Sequence, residues 1–286
     1  MSAPAQAPTV GPSVHPSREK PRPSMREQWW VLTVRFIAPT LRNGELITAI
    51  GASVAFTVGF YIPFSTPWSH YVGGASSGVS SNLGQYITPL ITLQAVAFAA
   101  ISSAFRAATD SLHGVNRRFR SMPISPLTPV LARVSASVYR CCVGLAVSVI
   151  CGYAIGFRFH RGALCIAGFC VLVIVIGAVL SFGADLIGTA TRNPEAMLPL
   201  LTMPILIFGL LSVGIQPLKM FPHWIQPVVR NQPISQFSVA LRALAGDTTR
   251  TAVPLTWPVV APTLAWLLGF TVVLVPASII VLSRRP

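Results

Sequence analysis

Five arginines, Arg106, Arg117, Arg118, Arg120 and Arg133, fall within residues 106–133, RAATDSLHGVNRRFRSMPISPLTPVLAR, between two long apolar runs. Their chemistry is permanent positive charge, which suits docking and orientation rather than bond-making. Residues 110–119 are expected to form a short helix with Asp110 in its first turn and arginines in its last, the polarity that the helix dipole favours. Pro123, Pro126 and Pro129 cannot continue that helix, because each lacks an N–H and disfavours helical geometry in the residue before it. A stiff, basic helix and elbow is the expected product. Two further charges, Arg140 and Asp185, lie inside apolar runs. A lone arginine at a bilayer centre costs about 3 kcal/mol or more, so a structural ion pair between them is expected.

Other chemistry is missing from the sequence. There is no G-x-x-x-x-G-K-[ST], and the lysines are Lys20 and Lys219, so the chain cannot hold ATP in a P-loop of its own. The histidines, His15, His70, His113, His160 and His223, are scattered, and no H-E-x-x-H or G-x-S-x-G occurs. Cys141, Cys142, Cys151, Cys165 and Cys170 all lie in apolar runs without metal-ligand spacing, and are expected as small packing residues rather than disulfides or a metal site. Mid-span positions hold little polarity beyond Thr92 and Gln94, so an apolar or amphipathic cargo suits these walls better than a charged solute.

The elements that must carry these residues belong to a membrane. Apolar residues make up 52% of the chain and charged ones 10%, far below the quarter charged of an average soluble domain. Runs near the 20 residues needed for a spanning helix occur at 47–64, 87–105, 134–157, 163–187, 197–215 and 259–282, giving six expected spans. Residues 1–24, rich in Pro, Ser and Ala, are expected to be a disordered tail, followed by one membrane domain at 25–286. Residues 25–42 place Trp30, Val34, Ile37 and Leu41 on one face, the pattern of an amphipathic helix lying in the interface. In the 216–258 connection, HWIQPVV and then Ile234, Phe237, Leu241 and Leu244, ending at Gly246, read as two short helices. Lysines and arginines are in excess on the side holding the tail, the 106–133 loop and the C-terminus, which places both termini in the cytoplasm. The net charge of +14 is carried at span ends rather than along one soluble face, so nucleic acid is not the expected partner.

The segments GFYIPF (59–64), VGGASSGVSSNLGQYITPL (72–90), FRAATDSLHGVNRRF (105–119), GFRFHRGAL (156–164), TRNPEAMLPLL (191–201) and FPHWIQPVVRNQPISQF (221–237) carry a resemblance. The chain resembles the type-2 ABC exporter permeases of the daunorubicin-resistance type, and among them the B-type permeases of mycobacterial exporters of phthiocerol dimycocerosate lipids. The resemblance implies an all-α integral membrane permease of the inner membrane: six spans, an N-terminal amphipathic helix and two short external helices before the sixth span. It also implies two copies of a separate ATPase chain holding ATP and Mg, a second permease subunit of the companion C-type, and no cofactor in this chain. The implied cargo is a large hydrophobic envelope lipid or an anthracycline-like drug moved outward. The ATPase-coupling loop would then hold Asp110, Asn116, Arg117, Arg118 and Arg120, and an external gate would hold Trp224, Asn231, Gln232, Pro233 and Arg242. Two alternatives stay open: a non-transporting docking subunit for lipid-synthesis machinery, and a lipid-modifying membrane enzyme.

Overall fold

The computed structural model describes residues 24–42, 45–72, 80, 82–114, 127–191, 193–248 and 253–283, and every regular element among them is helical. In chain order these are α1 (Met25–Arg42), α2 (Glu45–Val72), α3 (Leu83–Leu112), α4 (Leu127–Ala154), α5 (Ala163–Ala190), α6 (Pro194–Leu210), a 3-10 turn (Leu218–Met220), α7 (Gln226–Asn231), α8 (Pro233–Ala245) and α9 (Trp257–Ser283). Each of the six expected runs begins within a helix. Four of them, Leu83–Leu112, Leu131–Ala154, Ala163–Ala190 and Trp257–Ser278, are long and apolar enough to cross a membrane, whereas Ile50–Thr66 and Pro194–Leu210 are shorter apolar helices. Of the expected tail, only Ser24 lies within the described residues.

Helix α3 is the axis of the bundle. Its side chains are buried along most of its length, Tyr86, Ile87, Leu90, Ile91 and Val96 among the most enclosed, and α2, α4, α5, α6 and α8 all pack against it. With 30 residues it is about 45 Å long, more than the roughly 30 Å of a hydrocarbon core, so one or both ends project. Its middle is rich in alanine, with Ala95, Ala99, Ala100, Ala104 and Ala108 buried. Small residues let neighbouring backbones approach closely where lipid supplies no hydrophobic drive for helix association. On α5, Gly188 lies so near the Ala104 carbonyl that a Cβ would collide with it.

Local sequence sets the helix ends. Ser24 and Glu27 form a reciprocal capping box: Ser24 N–H donates to Glu27 Oε2 at 2.8 Å and Glu27 N–H to Ser24 Oγ at 3.3 Å. Asn82 starts α3 by accepting from Gln85 N–H at 2.7 Å. Asn193 starts α6 by accepting from Glu195 and Ala196, with Pro194 in the first turn. Gly246 closes α8 at φ +76, a left-handed conformation that favours glycine.

Four boundaries depart from expectation. The apolar run 197–215 is not one helix, because α6 stops at Leu210. Ser212 Oγ donates to Gly209 O at 2.7 Å and accepts from Gly214 N–H at 3.1 Å, closing a buried turn within an apolar stretch. Asp110 does not begin a new helix; it lies near the end of α3, which runs on to Leu112 before the turn at His113 and Gly114. Helix α2 continues past 64 to Val72. Within HWIQPVV only the part from Gln226 is helical, after a turn at 223–225.

Candidate functional site

Two polar assemblies stand at opposite ends of α3. At its C-terminal end, Arg140 from α4 is 3% exposed. Its Nη2 donates to Ser103 Oγ at 2.6 Å and to Ser137 Oγ at 2.9 Å, and these two hydroxyls are 2.6 Å apart. Ser137 sits one turn before Arg140 and also donates to Arg133 O at 3.0 Å. Asp185 on α5 lies beside the Ser103 hydroxyl and within electrostatic range of Arg133, Arg140 and Arg106. The shared neighbour of Arg140 and Asp185 is therefore Ser103, a residue that the sequence did not single out.

Nearer the end of α3, Arg133 Nη2 stands 3.9 Å from Asp110 Oδ2, and the Arg133 guanidinium lies 5.8 Å from the centre of the Phe36 ring. Trp29 Nε1 donates to Ser135 Oγ at 3.2 Å. These contacts bind α1 to α4 and, through Arg133, to α3. Of the apolar face expected for α1, Trp30 and Val34 are exposed and Ile37 is half-buried, while Trp29, Thr33 and Phe36 face the bundle. Of the residues assigned to a coupling loop, Asp110 belongs to this assembly; Asn116, Arg117, Arg118 and Arg120 lie outside the described residues.

At the N-terminal end of α3, the α7–α8 hairpin and the turn after α6 form a cap held by side-chain to backbone bonds. Arg242 on α8 donates from Nε to Tyr86 O at 3.0 Å, and from Nη2 to Val213 O at 2.9 Å and Gly214 O at 3.0 Å. Its guanidinium also lies 3.5 Å over the Tyr86 ring, and Tyr86 Oη donates to Val213 O at 2.7 Å. A planar fork of donors meets several carbonyls at once, which an ammonium group cannot do. Gln232 Nε2 donates to Phe208 O, Leu211 O and Ser235 Oγ at 3.2, 2.7 and 3.1 Å. The carbonyls orphaned where α6 stops thus find donors on α8 and its N-terminal approach.

A third side chain, Gln85, locks the cap to the α4–α5 turn. Its Nε2 donates to Arg158 O at 3.0 Å and Gly246 O at 2.6 Å, and its Oε1 accepts from Arg158 N–H at 2.9 Å. The sequence flagged neither Gln85 nor Tyr86. The available signal was position: two polar-bearing residues in the first turn after the Asn82 cap, at the start of a long, mostly apolar helix.

Among the residues assigned to an external gate, Gln232 and Arg242 are brought together on the turn after α6. Pro233 occupies the first position of α8. Asn231 O accepts from Trp266 Nε1 at 3.1 Å. Trp224 stands apart, 79% exposed. Among the described residues no group of His, Cys, Asp or Glu could hold a metal ion. The cysteines are free thiols, with Cys141 buried and Cys142 exposed.

The family model of ABC-2 family transporter proteins matches residues 46–280. The doxorubicin resistance ABC transporter permease protein DrrB of Mycobacterium tuberculosis is 70% identical over 270 residues, 94% of this chain and 93% of that protein. The daunorubicin resistance ABC transporter permease protein DrrB1 of Streptomyces coeruleorubidus is 29% identical over 188 residues, 65% of each. The probable doxorubicin resistance ABC transporter permease protein DrrC of Mycobacterium tuberculosis is 27% identical over 203 residues, 70% of this chain and 71% of that protein.

Proposed function

This chain belongs to the ABC-2 family of transporter proteins, and from that premise we propose that it is the multi-pass permease subunit of a drug-resistance exporter driven by ATP hydrolysis on a separate chain. The observation that carries the reading is the match over 46–280, together with a sequence that has no nucleotide motif of its own. The cargo is an anthracycline-like drug, the class named by the relatives. A large envelope lipid of the phthiocerol dimycocerosate type is a second cargo that the same apolar walls could take. Likeness to a DrrC protein supports a companion permease beside this one.

Both termini lie in the cytoplasm, by the excess of lysine and arginine on that side. The 115–126 segment then docks on the ATPase through Asn116, Arg117, Arg118 and Arg120, with Asp110 at its root. Motion of that segment reaches three helices, because Asp110 on α3 is paired with Arg133 on α4, and Arg133 contacts Phe36 on α1. Arg140 and the half-buried Asp185 form a polar pair across Ser103 that holds α3, α4 and α5 in register. At the far side, Trp224, Asn231, Gln232, Pro233 and Arg242 form the exit gate. ATP and Mg act on the partner chains, which pull the cytoplasmic ends together; the cargo must interact differently with the two resulting states for this to drive transport.

The test is reconstitution of this chain with its ATPase and companion permease in liposomes. ATP-dependent movement of doxorubicin or of lipid is measured for the native protein and for Arg117→Glu/Arg118→Glu. The double variant is expected to lose cargo-stimulated ATP hydrolysis and co-purification with the ATPase. Native values for both would overturn the docking role, and absence of ATP-dependent movement of either cargo would overturn the exporter.

A further inference from the structure

The cap end of the bundle is basic, and three of its cations, Arg158, Arg161 and Arg242, are engaged with backbone carbonyls. Within 65–82, 155–162 and 211–256 the sequence holds one carboxylate, Asp247, against Arg158, Arg161, Lys219, Arg230, Arg242 and Arg250. Asp247 accepts from Ser80 Oγ at 2.5 Å and Thr248 N–H at 2.6 Å. Arg158 donates to Tyr153 O and Phe157 O, Arg161 to Val253 O, and Arg242 to Tyr86, Val213 and Gly214. Lys219 and Arg230 are different. Both are exposed, and neither side chain makes a hydrogen bond or ion pair among the described residues.

Between these two cations stand the exposed apolar side chains Met220, Trp224 and Val228, at 40%, 79% and 59% exposure. Trp224 and Val228 are four residues apart and exposed, whereas Phe221 and Val229 are buried. Two bonds fix the depth of this surface. Trp266 Nε1 donates to Asn231 O at 3.1 Å, and Thr263 Oγ1 donates to Gln236 O at 3.1 Å. Trp266 is nine residues into α9, whose stretch Trp257–Ser278 is a candidate span, so it lies about 14 Å below the start of that helix. The end of α7 therefore stands beside the spanning part of α9 rather than above it, and Val228 is one turn away.

An exposed tryptophan with aliphatic neighbours beside the first half of a candidate span, flanked by two cations whose long stems can carry their charge up to the headgroups and by no free carboxylate, fits a surface bridging acyl chains and phosphate. We infer that the 219–230 surface is a lipid-binding site for an anionic phospholipid: Trp224, Met220 and Val228 rest on the acyl chains, and Lys219 and Arg230 clasp the phosphate. The bilayer is the occupant rather than a soluble acidic protein, because the bonds to Trp266 and Thr263 hold the surface at membrane depth. The inference holds whichever way the chain crosses the membrane, so it is separable from the transport reading.

The full chain, in nanodiscs of phosphatidylcholine with or without phosphatidylglycerol, supplies the test. Native mass spectrometry reads phosphatidylglycerol retained against phosphatidylcholine, and the fluorescence difference between native protein and Trp224→Phe reads quenching by lipids brominated near the headgroup. The Lys219→Gln/Arg230→Gln variant is expected to lower the preference for phosphatidylglycerol on the order of tenfold, while Lys219→Arg/Arg230→Lys keeps it. Its thermal midpoint in pure phosphatidylcholine is expected to match the native protein, which separates lost binding from lost folding. Unchanged preference in the Gln variant, or a Trp224 signal quenched by aqueous acrylamide but not by brominated lipid, overturns the site.

Discussion

The guanidinium of Arg242 lies 3.5 Å over the ring of Tyr86 and at the same time donates a 3.0 Å hydrogen bond to the Tyr86 carbonyl oxygen. One side chain thereby joins α8 to the first turn of α3, and its other arm reaches Val213 and Gly214 in the turn where α6 stops. Arg242→Lys keeps the charge but loses the fork. It is expected to cost about 1–3 kcal/mol, against about 1 kcal/mol for Tyr86→Phe, which removes a single hydroxyl bond. Thermal unfolding in nanodiscs decides the order; equal losses would mean that charge rather than the fork holds the cap.

Gln85 bonds three backbone groups from two connections. Gln85→Glu keeps the shape, but sets a carboxylate against the carbonyls of Arg158 and Gly246. We expect a loss of about 2–4 kcal/mol and faster hydrogen exchange at the Arg158 amide, whose acceptor is Gln85 Oε1. Native exchange at Arg158 would show that the turn is held by other contacts.

Ser103 and Ser137 each accept from Arg140. Removing both hydroxyls by Ser103→Ala/Ser137→Ala strips two bonds from a buried cation and is expected to destabilise by about 3–5 kcal/mol. Arg140→Met combined with Asp185→Asn removes both charges and is expected to cost less, because breaking a buried polar pair is worse than deleting it. A double-mutant cycle of Arg140→Met with Asp185→Asn then measures the pairing proposed between them. A coupling near zero would reduce Ser103 to a neighbour of both rather than a link.

Gly188 and Gly59 make a matched contrast. A Cβ at Gly188 would collide with the Ala104 backbone, whereas nothing lies within 4 Å of one at Gly59. Gly188→Ala is expected to cost about 1–3 kcal/mol by forcing α5 away from α3. Gly59→Ala is expected to be neutral or stabilising by up to about 1 kcal/mol, since alanine favours the helix. Equal unfolding midpoints for the two variants would refute the close α3–α5 crossing.

Much of the fold is legible along the chain. The range 25–42 matches α1 at both ends, since hydrophobic spacing is a local signal. The spacing of Ile234, Phe237, Leu241 and Leu244 with Gly246 gave α8, and Phe237 and Leu241 are indeed buried. The stop of α6 at Leu210 was not legible, because an unbroken apolar run hides a turn whose polar groups are satisfied by Ser212, Gln232 and Arg242. Asp110 was misplaced for a related reason: a helix that leaves the apolar layer keeps its backbone bonds, so hydropathy marks the layer and not the helix.

Apolar length and the placement of charge are properties of the chain alone, and they set the membrane class, the positions of the spanning runs and the basic segment between α3 and α4. The partners of Gln85, Ser103, Arg140 and Arg242 were decided by the tertiary structure. Every apolar helix face is equally at home in lipid, so hydrophobicity does not specify how each helix is rotated. That rotation is set by close packing of small residues on α3 and by buried carbonyls that must find donors on other elements, as Tyr86 O does on Arg242 and Gly246 O on Gln85.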